Sequence, residues 1–331
     1  MPGPTSHGGW RRHIAIDRCG PDEAYGAAGL AAAVAVPLIE NGMTLKATSP
    51  HYVPSSNYGK SWKRSLAIAH KQVVEGDIST LLWPELTQFL LDMALLRVDD
   101  DASPNHQDLY GHVVDHFTVP DPRTYYGVVA NSMRLAVSGT GENDARLTLS
   151  CIGQREEEND ALTEADFDYS TITHVPFMAG FATLWVDARQ VADVETWELS
   201  VENNISDAPF VWNAAVAAAV RGHAIANLRT IGLTLSKLNN NDEFNAAIRG
   251  GGRISFEALF HHPAGHILAI QLPHLYVPQS DEDGSPDRQA MESPRLEAVA
   301  GAGDVDIEYA VDLAAGGTST MSPLTTTAAP V

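Results

Sequence analysis

Asp304-Val305-Asp306-Ile307-Glu308-Tyr309-Ala310-Val311-Asp312-Leu313 alternates apolar residues with acidic or small ones without a break. Successive side chains of a strand point to opposite faces. Val305, Ile307, Tyr309, Val311 and Leu313 therefore share one face, and Asp304, Asp306, Glu308 and Asp312 the other, which predicts a half-buried strand. The same period of two recurs along the chain. Leu147, Leu149 and Cys151 alternate with Thr148 and Ser150, and Trp197, Leu199 and Val201 with Glu198, Ser200 and Glu202. Met133, Leu135 and Val137 lead through the turn-rich stretch 138–144 into the 145–152 run, and this spacing predicts a hairpin. The chain reads as mainly β.

Helical spacing breaks the pattern twice. Leu86, Phe89, Leu90, Met93 and Leu96 follow Trp83-Pro84, which predicts a helix of about 13 residues with proline in its first turn. Phe244, Ala247 and Ile248 share a face over 242–249, with Asn240 or Asn241 as the cap, and predict a second, shorter helix. The elements around the two helices come in one order. Strands near 42–48 and 74–82 precede the first helix, and strands near 113–119, 131–138 and 145–152 follow it. Strands near 196–203 and 231–235 precede the second, and strands at 254–260, 266–277 and 304–313 follow. Residue identity between the halves is low, so the repeat is one of pattern.

The expected organisation is an N-terminal arm over 1–24, one domain over 25–160 and a second over 161–313, with a flexible tail over 314–331. The acidic stretch 155–160 marks the boundary between domains. Within the second domain, 278–295 reads as a long polar loop. The tail carries no charge and is rich in Thr, Ala, Gly and Pro, a composition that disfavours a packed core.

With 42 acidic and 21 basic side chains the chain of 331 residues has a formal charge of −21. That balance argues against a protein whose work is holding nucleic acid, because affinity for a polyphosphate comes largely from Lys and Arg. A wall that DNA passes without sticking is compatible with it. The two cysteines, Cys19 and Cys151, are too few for a disulfide scaffold or a four-cysteine zinc site, and read as lone buried thiols. The most apolar stretch, 27–39, is interrupted by Gly29 and Pro37 and falls short of the roughly 20 residues that span a bilayer. Asp17, Asp22 and Glu23 interrupt the apolar run that a signal peptide needs after Arg11 and Arg12. The expectation is a protein used without export and without a membrane.

The search for reactive groups returns no enzyme. His261-His262-Pro263-Ala264-Gly265-His266 is the densest ligand-type cluster, but Pro263 forbids a helix, alternation separates His261 from His262, and no carboxylate lies at ligand spacing. A hairpin rim with exposed imidazoles is the simpler reading. Asp281-Glu282-Asp283-Gly284 lacks the ladder of a calcium loop. Gly250-Gly251-Gly252 follows a helix instead of leading into one, which suits a C-cap and not a phosphate cradle. No cofactor is expected. The one basic concentration, Lys60, Lys63, Arg64 and Lys71, with Tyr58 and Trp62 interleaved, reads as a docking surface for the acidic patch of another copy, such as Asp281, Glu282, Asp283 and Asp287.

Several phrases together carry a resemblance. Ala24-Tyr25-Gly26, Pro37-Leu38-Ile39-Glu40-Asn41-Gly42-Met43-Thr44-Leu45-Lys46, Glu75-Gly76-Asp77-Ile78-Ser79-Thr80, Tyr126-Gly127 and Asn131-Ser132-Met133 lie in the first half. Trp197 through Ile205, Ile254-Ser255-Phe256-Glu257 and Ile270-Gln271-Leu272-Pro273 lie in the second. In this arrangement the chain, over 20–313, resembles the tail tube proteins of long-tailed bacteriophages. The resemblance implies two tandem β-sandwich or half-barrel domains, each with a flanking α-helix. It implies a structural virion protein, assembled in the host cytoplasm, whose stacked rings form the tail tube, the conduit for DNA ejection. The length favours a duplicated member forming trimeric over hexameric rings. The implied partners are further copies of itself, tape measure and tail terminator proteins, and double-stranded DNA in passage. A β-rich capsid decoration, baseplate or glycan-binding protein is the alternative. On this reading Asp304, Asp306, Glu308 and Asp312 line the lumen, and the 50–71 and 278–295 segments bridge subunits.

Overall fold

A computed structural model describes residues 12–18, 33–39, 42–48, 51–52, 68–69, 72–96, 111–118, 121–139, 144–187, 189–191, 194–205, 210–213, 218–221, 228–238, 253–283, 291–298 and 307–312. The first half holds β1 (Arg12–Arg18), β2 (Val34–Val36), β3 (Lys46–Thr48), β4 (His51–Tyr52), β5 (Ile68–Ala69), β6 (Val73–Leu81), α1 (Pro84–Leu95), β7 (His112–Thr118), β8 (Arg123–Ser138), β9 (Ala145–Gly153) and β10 (Arg155–Glu158). The second holds β11 (Ala182–Val186), β12 (Arg189–Val191), β13 (Val194–Glu202), β14 (Phe210–Asn213), β15 (Ala218–Arg221), β16 (Thr230–Leu238), β17 (Arg253–His261), β18 (Ile267–Asp283), β19 (Met291–Ala298) and β20 (Glu308–Asp312). The fold is mainly β.

Among the described residues, sixteen strands join in one sheet, and β4·β5 and β14·β15 form separate two-stranded ribbons. The pairings of the first half run β3·β6·β9·β8·β7·β1·β2, with β10 on β8 beside β9. Those of the second run β13·β16·β19·β18·β17·β11·β12, with β20 on β18 beside β19. Ten strands on, each pairing recurs. So do the irregularities. The register of β7 on β8 shifts between His112/Val128 and Val114/Tyr125, and that of β17 on β18 between Ile254/Leu275 and Phe256/Leu272. Each shift inserts an extra residue that bends the long strand. The halves are joined where β13 pairs antiparallel with β8, from Thr196 opposite Ser138 to Glu202 opposite Ser132.

Alternation places the core as the sequence reading expected. Leu147, Leu149 and Cys151 of β9, Trp197, Leu199 and Val201 of β13, and Ile231, Leu233 and Leu235 of β16 are buried and belong to one apolar cluster that spans both halves. Helix α1 lies against this cluster. Leu86, Leu90, Leu91 and Met93 are buried, each worth roughly 1.5–3 kcal/mol relative to exposure. Pro84 opens the helix, and Leu96, in the left-handed conformation with φ of 54°, ends it. At Gly76, with φ of +154°, a Cβ would stand 2.5 Å from the Leu45 Cα. Only glycine admits that approach.

Three expectations are corrected. Residues 12–18, expected in an arm, form β1, paired with β7 along its whole length; Ile14 and Ile16 are buried, an alternation the surrounding arginines obscured. The acidic stretch expected at the domain boundary supplies β10, the last strand of the first half. The expected loop 278–295 extends β18 to Asp283 and begins β19 at Met291, in register from Gln279/Arg295 to Asp283/Met291. Its Asp, Ser and Pro content signals a turn, but β18 beyond Tyr276 is paired along one flank and tolerates such residues, and the β16·β19 pairs pass over Pro294. The histidine rim is the third: His261 is exposed, but His262 and His266 are buried. The second helix, 242–249, lies outside the described residues, as do Gly250-Gly251-Gly252 and the 314–331 tail.

Candidate assembly interface

The sequence nominated two sets of residues. Of the lumen set, Asp304 and Asp306 lie outside the described residues. Glu308 and Asp312 are the ends of β20, opposite Gln271 and Ile267. The apolar alternation of that strand packs as expected: Ile307 is buried, Tyr309 and Val311 pack against the core, and the Tyr309 hydroxyl donates to Asp92 of α1. Of the bridging set, Lys60, Lys63, Arg64, Lys71 and Asp287 lie outside the described residues, while Asp281, Glu282 and Asp283 are the last residues of β18.

Polar groups that the sequence reading missed fasten α1 to the second half. The last carbonyls of a helix have no partner within it. Here Asn203, just past β13, donates through Nδ2 to Ala94 O at 2.8 Å and to Ala130 O at 2.9 Å. Arg229, just before β16, donates through Nη2 to Leu95 O at 2.6 Å and through Nε to Asn203 Oδ1 at 3.2 Å. A cation at a helix C-terminus also opposes the helix dipole.

At the other end of α1, Glu85 Oε1 accepts from the Thr173 N–H at 3.0 Å, the Thr173 hydroxyl at 3.1 Å, the His174 N–H at 3.2 Å and His174 Nδ1 at 2.6 Å. Burial of this carboxyl raises its pKa and is the largest single influence, but the hydrogen bonds together outweigh it and lower the value from 4.5 to about 2. The His174 ring stands 4.3 Å from that of His266 and 5.8 Å from that of His262. The Ala264 N–H donates to His262 Nδ1 at 3.1 Å, so His262 Nε2 carries the proton it shares with Val175 O at 3.1 Å. Burial, then His174 and His262, lowers the His266 pKa. The cluster packs the α1 N-terminus against the β17–β18 turn. Among the described residues no group of three His, Cys, Asp or Glu has the geometry to hold a metal ion. No helix of the described residues is long and apolar enough to cross a membrane.

Strand edges complete the arrangement. Just before β3, the Thr44 N–H donates to Asp77 O at 2.9 Å and Gly42 O accepts from the Ser79 N–H at 2.6 Å, so residues 42 and 44 turn toward β6. Leu45 and Ala47 turn the other way. The Ala47 N–H donates to Glu156 Oε2 at 2.8 Å, and Leu45 O accepts from the Tyr125 hydroxyl at 3.0 Å. Glu156 is itself in an ion pair with Arg123. On β18, the partner β17 reaches only to Tyr276, and beyond it that flank has no strand partner among the described residues. An edge of this kind is a template for another chain. No sequence motif marks Glu85, Asn203, Arg229 or Glu156; the one available signal was the polar pair Asn203-Asn204 ending an alternating strand.

The sequence profile of the phage tail tube protein family matches residues 68–315, from β5 through β20. No curated protein matches the chain. The chain belongs to the phage tail tube protein family, a structural family of the virion tail.

Proposed function

We propose that copies of this tail tube protein join head to tail into closed rings of three, and that the rings stack into a hollow tube through which DNA leaves the particle. The carrying observation is the recurrence of every strand pairing ten strands on, with the halves joined edge to edge through β8 and β13. That recurrence supports two tandem tube domains, over about 25–160 and 161–313 with β1 added to the first, and a ring of three chains then presents six domains in pseudo-sixfold order. A heterologous contact repeated around a ring satisfies each exposed edge.

The bore follows from charge. DNA carries one negative charge per roughly 1.7 Å of axis, so a basic wall would hold it at many points and an acidic wall keeps contact brief. Asp304, Asp306, Glu308 and Asp312 are proposed to line that wall. Lys60, Lys63, Arg64 and Lys71 are proposed to bridge toward Asp281, Glu282 and Asp283 at the end of β18, and toward Asp287. Tape measure and tail terminator proteins are the proposed further partners in the host cytoplasm. Electron microscopy of the purified protein tests the reading: hollow tubes whose rings reconstruct with three chains are expected, and single particles at every concentration, or rings of six chains, would overturn it.

A further inference from the structure

The join between the halves is made inside one chain, and the same two surfaces stand open at the chain's ends. β13 adds to β8; the counterpart of β13 in the first half is β3, and the counterpart of β8 in the second is β18. Neither has its strand partner on that flank among the described residues. We infer that β3 of one copy adds antiparallel to the β18 edge beyond Tyr276 of the next copy, with Lys46 opposite Asp281. This rests on the ring reading above and names its contact.

The recurrence fixes the register. Matching the two register shifts places Tyr125 on Leu272 and Val128 on Leu275, and so Arg134 on Asp281. Matching β6 with β16 end to end places Glu75 on Gly232; their partners Lys46 and Ser200 then correspond. Within the chain Ser200 stands opposite Arg134, so between copies Lys46 stands opposite Asp281 and Thr48 opposite Gln279. An opposite-charge pair falls directly across the ladder, where such pairs stabilise. The backbone agrees, because Leu45 and Ala47 turn their hydrogen-bonding groups to this edge and a carbonyl such as that of Leu45 can accept a second bond.

Glu156 gains a role from the same comparison. Its counterpart in the second half, where β13 already has its strand, falls at Ile307, which is buried. A carboxylate thus occupies the outward Ala47 N–H only on the side that lacks a strand within the chain. It stands in for the neighbour and keeps the edge of a free copy satisfied until the β18 carbonyls replace it.

The experiment uses the full chain with Cys19→Ser, carrying Thr48→Cys and Gln279→Cys. Neither residue directs its backbone to the shared edge, and such opposed pairs stand about 4.5 Å apart at Cα, within disulfide reach. Oxidised assemblies are expected to show dimers and closed trimers on non-reducing gels. Thr48→Cys with Asp281→Cys, two residues out of register, is expected to cross-link at least tenfold less. Lys46→Glu should stop polymerisation of a protein with unchanged circular dichroism, and Lys46→Glu with Asp281→Lys should restore it. Tubes that form without the Thr48–Gln279 cross-link, or that tolerate Lys46→Glu, overturn this register and leave the ring reading standing; an unmodified protein that never polymerises overturns the ring reading itself.

Discussion

Glu85→Gln isolates the fastening at the start of α1. The carboxylate gathers four donors from Thr173 and His174 on one oxygen, and its pKa lies at about 2 instead of 4.5. At about 1.4 kcal/mol per tenfold change in proton affinity this is at most roughly 3.5 kcal/mol at neutral pH. Because the side chain keeps 18% of its exposure, solvent screening reduces the expectation to about 1–2 kcal/mol. The folded pKa is the lower one, so the unfolded chain binds more protons between the two values, and the contribution is complete above about 4.5 and lost as pH falls toward 2. Urea unfolding of both proteins from pH 7 to pH 2.5 gives the difference directly. The variant should be less stable by about 1–2 kcal/mol at pH 7 and nearly equal to the parent at the acid end. A difference that stays constant from pH 6 to pH 3 would refute the argument, since an uncharged packing role does not titrate.

His116 gives a second acid window with the opposite chemistry: it is buried, and burial, then Arg12 and Arg123, lowers its pKa from 6.5 to about 4. Its neutral form is favoured on folding, so it costs nothing above 6.5 and roughly 3 kcal/mol by pH 4; His116→Leu should flatten that part of the stability profile. Asn203→Ala leaves Ala94 O and Ala130 O without their donor and should cost about 2–3 kcal/mol in the same assay. Gly76→Ala sets a Cβ against the Leu45 backbone at positive φ and should cost roughly 2–4 kcal/mol, whereas an equal melting temperature would place the β3–β6 crossing elsewhere.

The strands legible in the sequence are those with one wet face and one buried face. β6, β9, β13, β17 and β20 alternate cleanly, and α1 has both its period and its proline. β8 and β18 were legible only in part, because a residue inserted at each register shift moves the buried set to the other parity halfway along. β10 read only as an acidic domain boundary and the far end of β18 as a loop, since a strand that carries Glu156 against Arg123, or stands at an edge, needs no apolar alternation. The contacts on α1 were beyond reach for a different reason. Glu85 and His174 stand 89 residues apart, and Arg229 and Leu95 134; a hydrogen bond across such a distance leaves no spacing to read.

The position of Glu156 connects the charge of the chain to its assembly. A tube protein must remain separate during synthesis and yet present strand edges that join on contact. An uncovered edge would pair at random, and a permanently covered one would never pair. A carboxylate on the outward Ala47 N–H satisfies the donor with one hydrogen bond, and because Glu156 also has Arg123, it keeps a partner when a neighbouring strand displaces it. The proposed exchange would replace a single side-chain contact with a ladder, and so would favour assembly once a correct edge is near. A wrong edge, out of register with Lys46, would carry the carboxylates of one copy against those of another. In a chain of formal charge −21, repulsion of that kind is the default between copies, and on the proposed register Lys46 of β3 selects which approach succeeds.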